Sequence, residues 1–88
     1  MKKRSAPYYV YILECSDGSL YTGVARDVRR RYVVHVSGRG AKYTASHPPV
    51  RIVYTEKCSS RSIAQKREFS IKSFSRAKKF SLIQSKAI

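Results

Sequence analysis

The chain has 88 residues, with 19 Lys plus Arg against 5 Asp plus Glu, a net charge of +14. Such a length supports one small domain, and 42% hydrophobic residues is too many for a disordered chain. So large a basic excess costs stability by self-repulsion and points to a polyanion as partner: DNA, RNA or an anionic membrane surface. A solvated basic face with no partner is the plainer reading of the same charge. Cys15 and Cys58 stand far apart and in no metal-ligand spacing, so no disulfide framework is implied and the cytoplasm is the expected compartment. MKKRSAPYYVYILE starts like a signal peptide, but its apolar run stops at Glu14 with no cleavage site following. No stretch is long and apolar enough to span a bilayer, so no membrane span is expected.

In chain order, residues 1–6 form a basic lead before Pro7, and a single domain is expected over 7–85. Residues 8–14 and 19–24 read as strands, rich in β-branched and aromatic residues, around Ser16-Asp17-Gly18. Asp27 is a good N-cap for a helix over 28–37, which Gly38 and Gly40 end. Residues 38–49, with two prolines, read as a long loop, and 50–56 alternate as a third strand. Ser59 or Ser60 caps a second helix over 61–74, whose apolar face is Ile63, Ala64, Ile71 and Phe74. Ser75 caps a third, short helix to about residue 85. The expected fold is α+β, in the order ββαβαα, with helices flanking the sheet.

The tyrosines of the hairpin raise a question of register. A two-residue Asp17-Gly18 turn would put Tyr11 and Tyr21 on opposite faces. A three-residue loop, with Gly18 as its left-handed last residue, pairs Leu13 with Tyr21 and Tyr11 with Gly23. Tyr11 and Tyr21 then share a face, and Gly23 leaves room beside Tyr11 for a ring or a phosphate. Ordinary cross-strand packing is the bland explanation of the same pair.

The helices add charge. Arg31 and His35 are four apart in RDVRRRYVVHV, so they share a face and suit an anion between them. An exposed basic stripe with Arg29 and Arg30 explains them equally well. Glu68 sits at the edge of the second helix's apolar face and is one of only 5 acids. A carboxylate there needs a partner. An arginine or an oxygen-bound divalent ion would serve, and the helix alone favours the arginine.

Taken together, these residues resemble the GIY-YIG nuclease superfamily. Tyr9-Val10-Tyr11 stands at its first signature triplet and Tyr21-Thr22-Gly23 at its second; Arg31, His35 and Glu68 follow at its spacings. The likeness runs from about residue 7 to 84 and is strongest to the small stand-alone bacterial-type branch. It departs where several relatives carry a lysine after the second triplet, here Val24, and an asparagine twelve after the glutamate, here Phe80. The first triplet also lacks its glycine.

The resemblance implies a three-stranded antiparallel sheet with both tyrosines lining one site. That implication decides for the three-residue loop. It also implies metal-dependent hydrolysis of nucleic-acid phosphodiesters, DNA before RNA, with structure rather than sequence as the basis of selection. A protein partner could supply the target. Glu68 would hold one Mg²⁺ or Mn²⁺. Tyr11 would take the proton of the attacking water, its pKa lowered by neighbouring cations. Tyr21 would position phosphate or water, and Arg31 would stabilise charge on the phosphate. His35 would assist Tyr11 or hold the phosphate. Gly23, Lys42, Tyr43 and Thr44 are the expected substrate contacts, and Lys78 and Lys79 would bind phosphates without reading bases. The alternatives are a non-catalytic nucleic-acid-binding module on the same fold, and a small basic protein of a ribonucleoprotein or membrane surface.

Overall fold

The hairpin at the start of the chain organises everything that follows. In the computed structural model, which describes residues 7–86, β1 (Tyr8–Cys15) and β2 (Leu20–Ala25) run antiparallel. The expected basic lead at 1–6 lies outside the described residues. The turn closes with the Cys15 N–H donating to the Ser19 carbonyl at 2.8 Å, and Gly18 takes a φ of 85°. That left-handed conformation belongs to the last residue of a three-residue loop. Leu13 therefore faces Tyr21 and Tyr11 faces Gly23. β3 (Pro49–Cys58) pairs with the free side of β1, giving a three-stranded antiparallel sheet in the order β2-β1-β3. Two register shifts let the ten residues of β3 run beside the eight of β1.

Four helices complete the chain: α1 (Val28–Val36), α2 (Lys42–Ser46), α3 (Arg61–Lys72) and α4 (Arg76–Ser85). The caps are the expected ones. Asp27 accepts from the Arg30 N–H at 3.1 Å, Ser60 from the Ile63 N–H at 3.2 Å and Ser75 from the Lys78 N–H at 3.1 Å. α2 corrects the reading of 38–49 as a loop, so the order is ββααβαα. Its five residues, KYTAS, close one turn through Ala45 N–H to Ala41 carbonyl at 3.1 Å. One turn is too short to carry an apolar period.

The strand alternation of β1 divides the molecule. Val10 and Ile12 point one way, into a core with Tyr54, Cys58, Ala64 and Ile71, which α3 covers. Tyr11, Leu13 and Cys15 point the other way and are also buried. Against them come His35 from α1 and Thr44 from α2. Ala64 and Ile71 of α3 are fully buried, whereas Ile63, expected on the same face, is 50% exposed. A twelve-residue helix on one sheet buries a narrow stripe, and Ile63 lies a 100° step beside it.

Two arginines fix the helices on this frame. Arg67 Nε meets both Glu56 oxygens, at 3.2 and 3.0 Å, and the Tyr54 hydroxyl donates to the same carboxylate. Arg76 donates to the Gly18 carbonyl at 2.8 Å and ties α4 to the hairpin turn.

Candidate active site

Gly23 has no side chain where the Tyr11 ring lies. A Cβ built there would stand 2.5 Å from the Tyr11 hydroxyl oxygen, so glycine leaves the space that lets the phenol reach α1. The Tyr11 hydroxyl then sits 2.8 Å from His35 Nε2. The other imidazole nitrogen, Nδ1, is 2.7 Å from Thr44 Oγ1, and the Thr44 hydroxyl donates to the Ala41 carbonyl at 3.0 Å. These bonds set one another's direction. Thr44 has given its proton to a carbonyl, so its oxygen accepts from His35 Nδ1–H. Nε2 is therefore bare and accepts from Tyr11. Gly40 backs the ring: a Cβ there would be 2.3 Å from His35 Nδ1.

Tyr21 completes the cluster. Its ring centroid is 6.5 Å from that of Tyr11 and 5.0 Å from that of His35. Tyr43 on α2 lies nearly parallel to Tyr21, with centroids 6.1 Å apart, and His47 stacks on Tyr43 at 4.0 Å.

The electrostatics run against one expectation. Burial pushes the Tyr11 phenol up to about 12; Tyr21 adds to the rise and the Arg31 guanidinium opposes it without prevailing. Cations were expected to lower it, but Tyr11 is 1% exposed, and losing water disfavours phenolate more than one arginine favours it. His35 moves the opposite way. Burial, then the Arg31 charge, holds its imidazole below the ordinary value. A phenol that keeps its proton thus faces an imidazole that is neutral and free to accept one.

Glu68 approaches from α3. It lies four residues after Ala64 and three before Ile71, both fully buried, so it stands at the rim of the packed face. Its charge is felt at the Tyr11 hydroxyl. Its partner is Lys72 Nζ at 3.1 Å, one turn along, rather than the arginine that the helix alone favours. An i,i+4 pair of this kind holds weakly, about 0.3–0.5 kcal/mol. The other acids are engaged elsewhere: Glu14 with Arg51, Asp17 with Ser19, Asp27 as a cap and Glu56 with Arg67. Among the described residues no group of three or more His, Cys, Asp and Glu could hold a metal ion. A cage made wholly of protein ligands therefore does not fit. A single partly exposed carboxylate does fit Mg²⁺ or Mn²⁺, which retain water and take phosphate oxygens.

This phenol pair, one strand apart and served by a helix arginine and histidine, lies on a fold of known kind. The chain belongs to the GIY-YIG family: the GIY-YIG catalytic domain matches residues 7–81. This is a family of nuclease domains, which makes nucleic acid the general class of ligand. Among individual proteins, the chain is similar to a UPF0213 protein of Staphylococcus saprophyticus, 53% identical over 76 residues, 86% of this chain and 93% of that one. A UPF0213 protein of Natronomonas pharaonis is 51% identical over 79 residues, 90% and 93% of the two chains. The solution NMR structure of a UPF0213 protein from Bacillus halodurans superposes with a TM-score of 0.59 at 49% identity, covering 91% of this chain and 85% of that one.

The structure brings Tyr11, Tyr21, Arg31, His35, Glu68 and Gly23 together, and Tyr43 beside them. Lys42 is exposed at the first turn of α2. Thr44 is only 1% exposed, so its hydroxyl serves His35 rather than a ligand. Val24 packs against the core, and Phe80 lies under the Arg76 guanidinium. Sequence reasoning missed Gly40 as the floor of the His35 pocket, His47 behind Tyr43, and Lys72 beside Glu68. Lys72 carries a signal, standing four residues after Glu68 on one helix, whereas His47 caps a single turn that shows no period in the sequence. Gly40 carries none, because its contact is made only in three dimensions. No helix among the described residues is long and apolar enough to cross a membrane.

Proposed function

We propose that this protein hydrolyses phosphodiester bonds of nucleic acid, DNA before RNA, selecting by structure rather than by sequence. The observation that carries the reading is the bond line from the Tyr11 hydroxyl through His35 to Thr44. A phenol held near 12 is a poor base alone. It becomes an effective one if its own proton leaves as another arrives. Tyr11 takes a proton from the attacking water while its hydroxyl proton passes to His35 Nε2. The water oxygen bonds to phosphorus, the bond to the leaving 3′ oxygen breaks, and solvent supplies that oxygen's proton. Thr44 holds the imidazole in the accepting tautomer, and the charge that His35 gains is temporary.

Arg31 neutralises charge on the five-coordinate phosphate, and Tyr21 orients the phosphate or the water. Glu68 would hold Mg²⁺ or Mn²⁺ once Lys72 releases it, and the ion would supply Lewis-acid stabilisation of the phosphate and leaving oxygen. Lys72, freed by that exchange, supplies a positive charge for a neighbouring phosphate.

The test is cleavage of labelled single-stranded, duplex, flapped and branched DNA, and of RNA, with Mg²⁺ or Mn²⁺ and with EDTA. Metal-dependent cutting by the wild type, lost in Glu68→Ala with binding retained, is the expected result. Binding without cutting across the whole panel would instead give a non-catalytic nucleic-acid-binding module.

A further inference from the structure

β2 is an edge strand, and a cavity of about 240 Å³ opens beside it, lined by Leu20, Tyr21, Thr22, Tyr43, Lys72 and Lys79. Two kinds of group meet there. Tyr21 and Tyr43 are inclined at only 18°, with centroids 6.1 Å apart. At that separation two parallel rings are offset or spaced rather than in full face contact, so part of their faces is available. Tyr43 is backed on α2 by His47, stacked at 4.0 Å, whose Nδ1–H donates to the Tyr43 carbonyl at 2.9 Å. The ring is thus a supported platform although 37% exposed. Lys72, paired with Glu68, and Lys79 bring positive charge to the same cavity. Thr22 borders the cavity, but it pairs with Ile12, so its buried hydroxyl is turned to the core side of the sheet.

We propose that this cavity is a subsite for an unpaired base of single-stranded nucleic acid, beside the phosphodiester addressed by Tyr11 and His35. The inference rests on the hydrolytic reading given above, because Tyr21 belongs to both places. A base stacked within a duplex offers no free face to a tyrosine. An unpaired base offers one whatever its identity, so the subsite selects by strandedness and not by sequence. Lys79 holds a phosphate beside that base, and Lys72 joins it when released from Glu68.

The test is fluorescence anisotropy in EDTA at fixed salt, so that affinity is read without cleavage. The full chain is titrated against labelled oligothymidylate, the same backbone carrying abasic residues throughout, a duplex of equal length, and oligouridylate. Oligothymidylate is expected to bind roughly 10-fold more tightly than the abasic strand. Tyr43→Ala should remove most of that difference while leaving abasic binding unchanged, and Tyr43→Phe should retain it. Lys79→Gln should weaken both strands alike and make the salt slope shallower by about 1. Tight oligouridylate binding supports the subsite equally and assigns the sugar. Equal affinity for thymidylate and abasic strands would overturn it, a comparison that needs no variant. If the wild type still cuts in that case, the subsite falls alone. If it binds no nucleic acid, the hydrolytic reading falls with it.

Discussion

Two glycines make the Tyr11–His35 contact possible, and each can be filled. A methyl group at Gly23 would meet the Tyr11 hydroxyl, and one at Gly40 would meet the His35 ring. Both rings are buried, at 1% exposure. Gly23→Ala and Gly40→Ala are each expected to cost about 1–3 kcal/mol in urea denaturation and to abolish cutting. Thr44→Val leaves the His35 Nδ1–H without an acceptor. It should also lose about 1–3 kcal/mol, while Thr44→Ser keeps both stability and activity. The titrating groups predict two pH limits on stability. His35 binds its proton less readily folded than unfolded. Stability present above pH 6.5 is therefore lost as pH falls through its depressed folded value. Tyr11 and Tyr54 are raised from 10.0 to about 12, so the stability they add below pH 10 is lost as pH rises toward the folded value. Thermal melts across pH should narrow on both sides, and a melting temperature flat from pH 4 to 7 would contradict the His35 assignment. Arg31, His35 and the two tyrosines were legible as types and spacings. The direction of the Tyr11 shift was not, because spacing does not reveal how completely a side chain loses water.

At the scale of elements, the rotation of α3 decides where Glu68 points. Ala64 and Ile71 set the packed stripe, and Arg67, one residue before Glu68, is held to Glu56 on β3. Arg67→Ala leaves the Glu56 carboxylate with the Tyr54 hydroxyl alone. Since Glu56 and Arg67 are both partly exposed, the expected loss is about 1–2 kcal/mol in denaturant titration. Cleavage should fall by more than the folded fraction does, because α3 is then free to turn. Activity that follows the folded fraction alone would contradict this positioning role. The hairpin could be read from the chain because Gly18 occupies the one place where a three-residue loop needs a left-handed residue. α2 could not be read. Its single turn between Gly40 and Pro48 shows no period, and its role depends on Thr44 lying under His35 and Tyr43 beside Tyr21.

For the whole molecule, charge and fold act on different properties. With 19 basic residues against 5 acidic, binding should weaken steeply with salt, at a slope of roughly −3 to −5 in log affinity against log salt for about four to five phosphates. A slope near zero would remove nucleic acid as the ligand. The excess of charge was plain in the sequence, yet it placed no residue. Positions came from the alternation of β1, which sends Val10 and Ile12 to the core and Tyr11 to the site. The claim on which this account turns is that the Tyr11 hydroxyl, serviced by His35, moves the proton in hydrolysis. Tyr11→Phe removes that one oxygen and keeps the ring. Single-turnover cleavage on a preformed complex is the direct measurement. The rate should fall at least roughly 100-fold with affinity for the same strand unchanged. Cutting at the wild-type rate by Tyr11→Phe would contradict it.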